Sequence, residues 1–186
     1  MPFDIHDPLV DEEGYVDDVA VERYQRQLQR LFSASPEACE IRRMGLRLEW
    51  TELMLEFALN DLQVTPPQMD DDDLLAILLE YFPGKTPMTE DDIGTVLLEL
   101  RAFWQFVQRE YRLRNARGCL RVLNRRTAGR MVRAVGGADF ELDEAPLARG
   151  RDDDDEELEL PRWLEFVLET SFRLWTRLRK RLGKQS

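Results

Sequence analysis

TEDDIGTVLLELRAFWQFVQREYRL, residues 89–113, carries the pattern that sets the fold class. Thr89 followed three residues on by Asp92 is close to a capping box, which satisfies N–H groups that a helix start leaves unpaired. Beyond it Ile93, Val96, Leu97, Leu100, Phe103, Trp104, Val107 and Tyr111 recur at helical spacing, the strongest amphipathic pattern in the chain. The segment is expected to be a core helix. Its aromatic cluster, Phe103, Trp104 and Phe106, lies at helical spacing among aliphatics and reads as packing, not as a ligand box.

On either side of this segment every other element also reads as helical. Val21, Tyr24, Leu28 and Phe32, with Val19 and Leu31, predict a first helix from Asp17 or Asp18 to Ser33. Ser35-Pro36 is a start signal, because proline at the first helical position has no N–H to leave unpaired. The pattern from there predicts one long helix with Ile41, Met44, Leu48, Thr51, Leu55, Ala58 and Leu62 inward, stopped by Pro66-Pro67. Asp70–Asp73 open the next helix, where four acids complement the positive end of the dipole, and Pro83-Gly84 is expected to end it. Asn115 is expected to cap a single arginine-rich helix, 115–135, that docks through Ala116, Cys119, Leu120, Leu123, Thr127 and Met131 and stops at Gly136-Gly137. Pro161 opens a final amphipathic helix over 160–183.

The fold class is therefore all-α: a single-domain bundle, 18–138, of about six helices counting the last. It is preceded by an acidic, extended or disordered lead-in, 1–17, and followed by an acidic linker, 139–159. A chain of 186 residues with 43% apolar content can bury a sizeable core without disulfides or metals. Cys39 and Cys119 stand eighty residues apart with no CxxC or Cys/His companion and read as small hydrophobes. The start of the chain has neither a basic nor an apolar region of the secretory kind. The longest apolar run, Leu74–Leu79, is far short of the ~20 residues of a membrane span. A cytoplasmic location is the expectation.

Charge is distributed in blocks. Residues 109–133 hold nine arginines against Glu110, residues 139–160 hold eleven acids against Arg149 and Arg151, and the C-terminal block is basic again. The arginine-rich helix has three readings. Its side chains pair with acids of the same chain, including the linker; or they dock an acidic protein or phosphate-bearing ligand; or they grip nucleic acid, with the linker as an internal competitor. Self-neutralisation leads. The candidate anionic-partner face is Arg117, Arg121, Arg125, Arg126, Arg130 and Arg133, and a candidate hydrophobic interaction helix carries Trp163, Phe166, Phe172 and Trp175.

Catalysis by histidine, and zinc sites of the usual kind, need an imidazole held in a scaffold, yet the sole histidine is His6, in the lead-in. Glu49, Glu52 and Glu56 follow the ordinary polar face of a helix, with no ExxH partner of the di-iron kind. No catalytic, cofactor-binding or metal-binding residue is nominated, and no enzyme or cofactor is expected. Residues 72–113 resemble helical segments of bacterial SEC-C-type and related plasmid-borne proteins of unknown role. The likeness rests on the turn Tyr81-Phe82-Pro83-Gly84-Lys85 and the core residues Leu100, Phe103 and Phe106. It implies a helical bacterial domain and carries over no activity. The expected function is a non-enzymatic interaction or accessory module that binds a protein partner or itself. The alternative is a nucleic-acid-associated factor that uses helix 115–135 and is gated by the acidic linker.

Overall fold

The structure, a computed structural model, describes residues 3–10 and 16–136. The acidic linker and the helix expected over 160–183 lie outside the described residues. Those residues form seven helices and no strand. They are α1, Asp18–Ser33; α2, Pro36–Arg43; α3, Trp50–Glu56, running on into a π turn, Phe57–Asp61; and α4, Asp71–Ala76, which passes through a second π turn, Ile77–Tyr81, into Phe82–Lys85. A 3-10 turn, Glu90–Asp92, leads into α5, Ile93–Tyr111, and α6, Ala116–Val122, and α7, Arg125–Val135, follow.

The starts form where capping chemistry predicts them. Asp17 accepts the N–H groups of Val19 and Ala20, Ser35 Oγ accepts that of Ala38, and Asp70 and Asp73 form a reciprocal capping box. Asp92 accepts both the backbone N–H and the hydroxyl of Thr89. α5 is the centre of the domain. Val96, Leu100, Phe103, Trp104 and Val107 have no exposed surface, and α2, α3, α6 and α7 all pack against it.

Five expectations need correction. The long second helix breaks after Met44. Gly45 takes φ +80°, its N–H reaches Arg42 O, and Leu46 N–H reaches Ile41 O, the paired bonds of a Schellman ending. Met44, expected inward, is therefore exposed. The arginine-rich helix is two helices, bent at Leu123-Asn124, where Asn124 accepts the Thr127 N–H and caps α7. Asn115 caps nothing with its side chain, and its amide donates instead to Pro66 O at 2.7 Å and Met69 O at 2.6 Å. Pro83-Gly84 does not end α4, which carries through to Lys85. The lead-in is not loose over residues 3–10: Ile5 is buried, Tyr24 Oη donates to Ile5 O, and Phe3 packs on the rings of Tyr24 and Tyr111.

Breaking the second helix leaves the start of α3 with no cap of its own. The central helix supplies one. Glu99, fully buried, accepts the N–H groups of Glu49 and Trp50 at 3.1 and 3.2 Å on one oxygen and that of Thr51 at 2.7 Å on the other. Two residues on, Arg101 donates to Leu123 O at 2.9 Å, at the bend between α6 and α7. One helix thus meets the orphan donors of one broken neighbour and an orphan carbonyl of another.

Replacing Gly45 by alanine meets no side-chain clash but forces a left-handed backbone, so Gly45→Ala is expected to cost about 1 kcal/mol in urea unfolding. Glu99→Ala orphans three N–H groups and is expected to cost roughly 2–4 kcal/mol. Burial pushes the Glu99 pKa up, against the lowering pull of the Thr51, Trp50 and Glu49 N–H groups. A carboxyl with a raised folded pKa loses stabilising effect as pH climbs from its unfolded to its folded value. The stability of the wild-type chain relative to Glu99→Gln is therefore expected to fall as pH rises through the window above the ordinary glutamate pKa.

Candidate anionic-partner surface

α6 and α7 are held by small buried residues. Ala116 and Cys119 on α6, with Thr127, Ala128, Gly129 and Met131 on α7, turn inward. α7 lies against α5, the π turn and last turn of α4, and the Glu90–Asp92 turn. Such small inward residues leave the remaining positions, which are mostly arginine, on the outside. Arg117, Arg121, Arg125, Arg126 and Arg133 are exposed, and Arg130 is half-buried.

The arginines of residues 109–133 then separate by what they meet. Arg109 belongs to the fold: Nε and one terminal nitrogen bind the two oxygens of buried Glu37 at 2.8 and 3.1 Å, and the other terminal nitrogen meets Glu110. Those carboxylates hold its pKa above the ordinary arginine value. Arg121 stands 4.0 Å from Asp71, the outer limit of an ion pair. Arg126, Arg130 and Arg133 have no acid within ion-pair distance among the described residues. Burial, then the charges of Arg126 and Arg133, push the Arg130 pKa down. These three guanidinium groups sit at i, i+4 and i+7 on one face of α7, where like charges repel.

The predicted face is therefore brought together in part. Arg126, Arg130 and Arg133 form one cluster, while the bend at Leu123-Asn124 sets Arg117 and Arg121 on a separate helix. Trp163, Phe166, Phe172 and Trp175 lie outside the described residues. Sequence reasoning missed Glu99, Arg101 and the Glu37–Arg109 pair. A signal existed for the first: Glu99 is a lone acid inside the run Leu97-Leu98-Glu99-Leu100.

Elsewhere the chemistry is sparse. His6 lines a cavity of about 380 Å3 with Leu9, Val16, Val21, Leu59 and Gln63, an apolar wall in the main. Burial pushes the Cys119 thiol up to about 12, and both cysteines are free. Among the described residues no group of three metal-ligating side chains gathers, and no helix is long and apolar enough to cross a membrane. Compared with family models, curated proteins and solved structures, the chain matches none.

Mutual repulsion within the cluster makes a stability prediction. Arg130→Gln is expected to leave the urea-unfolding free energy unchanged or to raise it by no more than about 0.5 kcal/mol. A loss beyond 1 kcal/mol would mean that Arg130 supports the fold.

Proposed function

We propose that this chain is a non-enzymatic interaction module whose arginine face on α6 and α7 takes an acidic peptide segment of a partner. The observation that carries the reading is the cluster Arg126, Arg130 and Arg133: three like charges side by side, without an acid partner among the described residues. The partly buried arginines of α5 have partners instead: Arg109 meets Glu37 and Arg101 meets Leu123 O. A cluster that repels itself, with Arg126 and Arg133 exposed and Arg130 half-buried, fits a surface waiting for negative charge.

An acidic peptide suits the face better than a nucleic-acid strand. Residues 115–135 contain no Phe, Tyr or Trp on which a base could stack. Arginine also forms paired hydrogen bonds to carboxylates that lysine does not match.

Fluorescence anisotropy with a labelled oligo-glutamate tests this. Binding to the full chain is expected to weaken as salt is raised from about 50 to 300 mM. It is also expected to fall at least about tenfold in the double variant Arg126→Glu, Arg130→Glu. Binding that ignores both substitutions would sink the reading, and tighter binding of an oligonucleotide of equal charge would transfer it to nucleic acid.

A further inference from the structure

The arginine cluster has a candidate occupant within the same chain. α7 ends at Val135, and the sequence continues with eleven acids in residues 139–160, six of them consecutive from Asp152 to Glu157. We infer that Asp152–Glu157 occupies the Arg126, Arg130 and Arg133 face in the free chain and that an external acidic partner must displace it. This rests on the reading of that face given above and adds its regulation.

Three features support it. The first is reach. Sixteen residues separate Val135 from Asp152, a length that can span up to about 50 Å, whereas the eleven residues of α7 extend only about 16 Å. The acidic run can therefore return along the whole helix it follows. The second is spacing. Arg126 and Arg130, one turn apart, are separated by about 6 Å along the axis, close to the ~7 Å between same-side carboxylates of an extended acidic run. The third is charge. The cluster carries three unopposed positive charges among the described residues, and a linked polyanion meets them as an intramolecular ligand, at an effective concentration on the order of millimolar.

The consequence is a threshold. A weakly acidic segment would fail to compete with the tethered run, so only a partner that binds the arginines better, or is present in excess, would engage.

Two measurements on the full chain test the inference separately from the face itself. Changing Asp152–Asp155 to asparagine and Glu156 and Glu157 to glutamine is expected to tighten oligo-glutamate binding by about tenfold or more. Equal affinity in the altered and unaltered chains overturns the inference and leaves the face standing; no binding by either chain overturns the reading of the face. For the second measurement, a nitroxide is placed on Gly150→Cys in a Cys39→Ser background. Cys119 stays unlabelled, being buried with its thiol pushed up to about 12. The label is expected to broaden the amide signals of residues 126–133 at low salt, and the broadening should vanish when the acidic run is neutralised. Absence of broadening refutes the docking. Broadening that appears only when labelled chains are mixed with isotope-enriched unlabelled ones would assign the run to a second copy, and would overturn the intramolecular form.

Discussion

The fold turns on the carboxylate of Glu99. A helix that starts in the interior presents N–H groups that nothing in its own backbone can satisfy, and α3 starts there because Gly45 has just ended α2. Capping from a distant helix solves the problem at the cost of burying a charge, which the raised pKa of Glu99 records. Arg101 does the complementary work at the bend after α6. Since residues two apart on a helix point roughly 200° away from each other, α5 serves neighbours on opposite sides with one acid and one base. Its identity as the core helix is therefore electrostatic as well as hydrophobic.

How much of this was legible in the sequence follows from where each signal is stored. Helix starts depend on one side chain and its immediate neighbours, so Asp17, Ser35, Asp70 and Thr89 could be read directly. The inward residues of α5 follow a period that any packed helix shows, and they too were readable. Helix ends inside an apolar pattern were not, because Met44 and Leu48 continue the period across Gly45 and so disguise a left-handed turn as one more helical residue. Asn115 misled for a related reason. Its position suits a cap, but the carbonyls of Pro66 and Met69 come within reach only once the chain has folded. The arginines were visible as a set, whereas their separation into a structural pair at Arg109 and a cluster on α7 depends on Glu37, seventy-two residues away.

That separation bears on how charge works in this domain. Glu37 and Arg109 are held by paired hydrogen bonds with the acid almost fully buried, so breaking the pair would strand a charge. The α7 cluster is the opposite case, in which removing a charge relieves its neighbours. Residues of the same type thus carry opposite signs in the stability of the fold, and the distinction rests on the acid each one finds.

The two π turns have an evolutionary implication. Each accommodates one residue more than an α-helix would, and the two lie against each other, with Lys85 paired to Asp61 and set over the rings of Phe57 and Tyr81. Losing a residue from a plain α-helix would rotate everything beyond it by about 100°, whereas a π turn that loses its extra residue reverts to α-helical winding and keeps Asp61 and Lys85 in register. A single-residue deletion within either turn is therefore absorbed where it occurs, and descendants of this chain would be expected to lose the two extra residues independently.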